Sequence, residues 1–149
     1  MRALLALSAA LVTILTGANT GRAQDSRALV QLPEMMQAHM LANMRDHLAA
    51  LSEILASLAE NKFDAAAKVA EQRLGMSSLE RHGGSHMAPF MPKPMQEIGT
   101  GMHRAASRFA IVAQNASVTP SFDGMRDVFR ALHDVTVTCT GCHAGYRIR

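Results

Sequence analysis

Apolar residues return every three or four positions along four stretches of this chain, the spacing of a helix with one buried face. The first stretch opens at Pro33, a favoured first helical residue, and runs to about Ala59. Its stripe is Met40, Met44, His47, Leu48, Leu51, Leu55 and Leu58. The second, about Phe63 to Leu74, turns Phe63, Ala66, Val69, Ala70 and Leu74 inward and meets a natural stop at Gly75. The third, about Pro94 to Ala116, carries Met95, Ile98, Met102, Ala105, Ala106, Phe109 and Val112 on one side. The fourth follows Thr119-Pro120, a helix-opening pair, and continues to about Tyr146 with Met125, Phe129, Leu132, Thr136, Cys139, His143 and Tyr146 in register. No stretch alternates with the period of a strand. Short connections at 60–62 and 117–120 predict two helical hairpins, and the link from about Met76 to Lys93 is long and rich in Gly, Pro and His. The expected fold class is all-α, an antiparallel up-and-down four-helix bundle.

Composition agrees with helices. Aromatic residues make up only 4% of the chain, with eleven Met and no Trp, so strand-favouring side chains are scarce. The N-terminus reads as a secretory leader: Arg2, an apolar run from Ala3 to Leu15, then small residues up to Ala23. Cleavage after Ala23 would leave a single domain over 24–149. The apolar run is shorter than the roughly 20 residues a membrane span needs, so no stable insertion is expected once the leader is gone. In a bacterium the address is the periplasm. The formal charge of +3 loses two with Arg2 and Arg22 and falls to +1. Only Lys62, Lys68 and Lys93 are lysines, and neither a basic stripe nor an aromatic platform suggests a nucleic-acid partner.

The chemistry concentrates near the C-terminus in Cys139-Thr-Gly-Cys142-His143. Cys-x-x-Cys-His is the attachment sequence of a c-type haem. Residues three apart lie on nearly one face of a helix, so both thiols can add to vinyl groups on one porphyrin edge. The adjoining histidine supplies the proximal iron ligand. Competing readings fit less well. A thioredoxin-type dithiol wants a βαβ context, a zinc site wants further ligands at motif spacing, and a disulfide across three helical residues is strained. One covalent haem c, held by Cys139 and Cys142 with His143 on iron, is the expected cofactor.

Attachment at the end of the last helix resembles the class II c-type cytochromes, cytochrome c-prime and its six-coordinate relatives. The resemblance rests on Cys139-Thr-Gly-Cys142-His143-Ala-Gly-Tyr146-Arg147, similar to the family's Cys-x-x-Cys-His-x-x-aromatic-basic pattern, and on an echo at Ala59-Glu-Asn-Lys-Phe-Asp-Ala-Ala-Ala67. It implies a four-helix haem bundle that carries single electrons between redox partner proteins, or binds small gases such as NO or CO. It is also compatible with a homodimer, and it implies no enzymatic turnover. In that family a first-helix residue faces the iron opposite the histidine. The spacing back from Phe63-Asp64 places it at Met44, with Met40 one turn earlier as the alternative and Met36 a turn before that. A methionine there makes a six-coordinate, low-spin site. Arg147 occupies the basic position and would touch a propionate or the proximal side; Arg45 reads as a surface residue. Many family members carry an arginine one turn before the distal residue, where this chain has Met40.

Two other functions remain open. His82, His86, Met87, Met91, Met95, Met102 and His103 gather around the long connection, and imidazole with thioether suits copper, although the spacing matches no defined copper motif. Peroxide chemistry would need polar groups beside an open iron. His47, one turn past Met44, is the only candidate and reads more simply as a half-buried histidine at a helix boundary.

Overall fold

The computed structural model describes residues 25–149, so the leader expected over 1–23 lies outside them. The described chain is mostly helical. Strand β1 (Ala28–Val30) leads into helix α1 (Glu34–Ala59), followed by α2 (Phe63–Val69), which continues as a π turn over Ala70–Leu74. A looser stretch contains 3-10 turns at Met76–Ser78 and Ala88–Phe90 around the short helix α3 (Gly84–Met87). Helices α4 (Lys93–Val118) and α5 (Phe122–Gly145) come next, and strand β2 (Tyr146–Ile148) ends the fold. All four long periodic stretches are therefore helical within a few residues of the expected bounds.

The start signals act as their chemistry dictates. Pro33 immediately precedes α1, and Pro94 sits in the first turn of α4, where a missing N–H costs nothing. Ser121 opens α5 by accepting a hydrogen bond from the Gly124 N–H at 2.9 Å, a side-chain N-cap. Gly75 ends the second stretch, but in extended backbone, not in a left-handed cap. A Cβ there would lie 2.8 Å from the Glu71 Cα, so this stop requires glycine for space.

The main core is rich in small residues. Ala66, Ala67, Ala70, Ala105, Ala106 and Ala113 surround Phe109, Ile54, Leu74, Val128 and Val135. Small side chains let helix axes approach closely, toward the short end of the ~8–10 Å range. Helix α4 packs most extensively on α5 and also meets α2 and the π turn, while α1 is held chiefly by α2 and the π turn. Arg73 reinforces that hold by bonding Asp46 Oδ1 at 2.5 Å and Glu53 Oε2 at 2.6 Å. Direct packing between α1 and α5 is sparse.

Periodicity gave no hint of the β pairing. Strands β1 and β2 run parallel, with Ala28 opposite Tyr146, Leu29 opposite Arg147 and Val30 opposite Ile148. The pairing extends through Leu32 N to Arg149 O at 3.2 Å and Arg149 N to Val30 O at 3.1 Å. Three residues are too few for alternation to show. Their role is positional: they clip the entrance of α1 to the exit of α5.

Three imidazoles form a polar knot between α1, the looser stretch and α4. His82 and His103 are buried and His47 is half-buried. His47 Nε2 lies 3.3 Å from His82 Nδ1, His103 Nδ1 bonds the Leu74 carbonyl at 2.7 Å, and Asn43 Nδ2 donates to the His82 carbonyl at 3.0 Å. Burial first, and the neighbouring imidazoles second, push His47 and His82 down to about 4 from the usual 6.5; burial also lowers His103. The nearby Asp46 carboxylate opposes this at His47 and His82, though Arg73 occupies it, and the Leu74 and Gly75 carbonyls oppose it at His103.

Two outcomes follow. Phe109 is fully enclosed, so Phe109→Ala should cost about 3–5 kcal/mol by denaturant titration. For the histidines, the unfolded chain takes up protons from pH 6.5 downward while the folded chain resists until about 4. Their contribution is therefore whole above pH 6.5 and lost as pH falls through 4. Thermal melts in metal-free buffer should show that decline, and His82→Gln should flatten it.

Candidate functional site

Helix α5 continues without a break through Cys139, Cys142 and His143. Both thiols are free and half-buried, and their shared helix keeps them one turn apart. Burial raises both above the ordinary thiol value, with the Cys139 charge adding to the effect on Cys142. They are thus protonated thiols sheltered from water, poor metal ligands in that form but in place to add to an apolar partner. The His143 side chain is exposed, and its backbone carbonyl accepts a hydrogen bond from Arg27 Nη1 at 3.4 Å.

The two thiols face different neighbourhoods. Cys139 packs on the main core. Cys142 packs on a second cluster built from Val30, Leu32, Met40, Met87 and Met95, joined by Met36, Met44, Met91, Tyr146 and Ile148. Both expected distal methionines therefore share a cluster with the second thiol. Met40 is the more deeply buried; Met44 is half-buried, one turn further along α1. The β1–β2 clip explains the meeting, because it carries the first turns of α1 to the last turn of α5. Met87, Met91 and Met95 come from α3, its following turn and the start of α4. Gln96 fixes this loop by donating to the Ala88 and Met91 carbonyls at 2.8 and 2.9 Å.

Beside this cluster α1 and α5 stand apart. The groove between them, about 610 Å³, is lined by Leu48, Leu51, Leu55, Phe129, Leu132 and Thr136, with Ser52 and His133 at its margin. Leu48 is 71% exposed and Phe129 52%, although the sequence pattern places both on inward faces. The inward stripe of α5 instead buries Val128, Leu132 and Val135. Continuing the groove side of α5 at helical spacing leads from Phe129, Leu132 and Thr136 to Cys139 and His143, and the groove side of α1 leads back from Leu48 to Met44. Two apolar faces that line one groove and pack only sparsely on each other leave room for an apolar body between them.

Arg147 provides the polar counterpart. Its Nε is buried and makes no hydrogen bond among the described residues; the nearest carboxylate oxygen, Asp25 Oδ2, is 3.5 Å away. Asp25 is itself engaged by Arg27 at 2.8 Å. An incompletely satisfied guanidinium next to the Cys-x-x-Cys-His turn suits a carboxylate from outside the chain. Free sheltered thiols, an adjoining histidine, an apolar seat and this guanidinium are together compatible with a covalently bound haem. Arg45 is exposed, as its reading required.

Sequence reasoning missed the groove, the clip and the grouping of His47 with His82 and His103. The histidines lay on elements far apart in the chain, so only the fold could bring them together. His86 is exposed and makes no part of that group. Among the described residues no helix is long and apolar enough to cross a membrane. No family model, curated protein or solved structure matches the chain.

The thiol environment is directly measurable. In protein produced without haem attachment, iodoacetamide should alkylate Cys139 and Cys142 with a pH midpoint above that of a free thiol, and unfolding in urea should return both to ordinary reactivity. Equal rates in the folded and unfolded chains would contradict the sheltered geometry.

Proposed function

We propose that the chain is an exported monohaem c-type cytochrome of the c-prime type, an antiparallel up-and-down four-helix bundle that passes single electrons between redox proteins. The observation that carries this reading is the placement of Cys142, in the Cys139–His143 motif, against the cluster containing Met40 and Met44. Haem c, when bound, supplies an iron that cycles between ferric and ferrous states. Cys139 and Cys142 would hold it by thioether bonds, and His143 would supply the imidazole ligand to its iron. The groove walls, Leu48, Leu51, Leu55, Phe129 and Leu132, exclude water and keep the local dielectric low. Arg147 neutralises a propionate, a charge-assisted contact stronger than a neutral hydrogen bond.

Met44 is assigned to the distal side because it continues the groove face of α1 while touching the cluster around Cys142. Met44 as a second ligand beside His143 would raise the group's reduction potential and would leave no coordination position free for a gas. Both properties suit a carrier. A site open to gases would instead present an aliphatic side chain there.

The Met44 assignment is tested by ligand binding. Wild-type ferrous protein should be low-spin and take up CO slowly, whereas Met44→Ala should become high-spin and bind CO rapidly. If the wild type is already high-spin and binds CO as fast as Met44→Ala, the gas-binding reading replaces the carrier. If Met40→Ala alone opens the iron, the distal ligand is one turn earlier.

A further inference from the structure

The His47, His82 and His103 knot lies outside the haem motif and has no part in the carrier function. Its geometry is close to that of three imidazoles around one metal. For a tetrahedral ion with metal–nitrogen bonds of about 2.0–2.1 Å, two ligating nitrogens stand about 3.3 Å apart and the ring centres about 5 Å. His47 Nε2 and His82 Nδ1 are 3.3 Å apart. The ring centroids are separated by 4.7 Å for His47 and His82, 5.4 Å for His82 and His103, and 6.0 Å for His47 and His103.

The tautomer of His103 also suits a ligand. Its Nδ1 is held by the Leu74 carbonyl at 2.7 Å, which makes Nδ1 the N–H and leaves the lone pair on Nε2. A carbonyl behind the imidazole is the usual second partner of a metal-bound histidine, fixing its tautomer and orientation. The rings come from α1, from the stretch before α3 and from α4. Gly83, at a φ of 68°, turns the chain directly after His82. Among the described residues no three His, Cys, Asp or Glu groups have already converged on a metal position. In the metal-free state one N–H lies between His47 Nε2 and His82 Nδ1; ligation by both nitrogens moves that hydrogen to the other nitrogen of its own ring, so both imidazoles stay neutral, and His103 must move toward them.

We propose that His47, His82 and His103 bind one transition-metal ion of the copper and zinc class. Three neutral nitrogen donors suit such borderline ions, whereas Ca²⁺ and Mg²⁺ demand oxygen ligands. Asp46, the nearest acid, is committed to Arg73 and lends charge without ligating. Burial favours the same state, because a metal ligates only neutral imidazole and buried rings such as His82 and His103 resist taking a charge.

Zn²⁺ is the appropriate probe, since it has no redox chemistry with a haem. The full exported chain, with any free thiol first alkylated so that Cys139 and Cys142 cannot compete, is titrated at pH 7.5 by calorimetry. One Zn²⁺ should bind per chain. His47→Gln and His82→Gln should each weaken it at least about tenfold, while His86→Gln leaves it unchanged. Variants are compared only where circular dichroism matches the wild type. Independently of folding, Zn²⁺ on the wild type should protect His47, His82 and His103 together from diethylpyrocarbonate, as mapped by peptide mass. Absence of stoichiometric uptake, uptake insensitive to both cluster substitutions, or protection confined to His86 or His143 would overturn the site. Haem content is read separately from the absorption spectrum, so failure of the cytochrome reading and failure of this one are distinguishable.

Discussion

Two thiols held one turn apart on an unbroken helix lie on nearly one face of it, at a fixed separation. Helix α5 runs straight through Cys139 and Cys142, and that single constraint organises the functional end of the molecule. A rigid partner with two reactive positions along one edge would engage both without unwinding the helix. Everything near them, from the adjoining His143 to the methionine cluster, is consistent with such a partner arriving flat between α1 and α5.

The short β1–β2 pairing gives that constraint its reach. Three residues of parallel pairing add little stability by themselves, yet they tie the segment before α1 to the segment after α5. Met36, Met40 and Met44 consequently lie near Cys142 although about a hundred positions separate them in the chain. With α4 packed on α5, and α1 held by α2 and Arg73, the α1–α5 groove is a flank of the long helices with only sparse packing among the described residues. Exposure of Leu48, Leu55 and Phe129 is costly unless something apolar covers them.

Much of this was legible in the sequence. The four helices follow from apolar periodicity, proline at helix starts and Gly75 at a stop, which are local signals. The Cys-x-x-Cys-His motif at Cys139–His143 is local as well. The inward faces of α1 and α5 were legible only in part: Leu58 and Leu132 are buried as expected, while Leu48 and Phe129 stand open over the groove. Periodicity reports which face is apolar, not whether protein or another body covers it. The β clip and the histidine knot were illegible because each depends on residues brought together by tertiary packing.

Intact-mass analysis of the exported protein, after extraction with acidified acetone, tests the account most directly. The mass should equal a chain beginning near Gln24 plus one haem, with pigment retained on the peptide that contains Cys139 and Cys142. A bare polypeptide mass, or pigment released into the acetone, would contradict it.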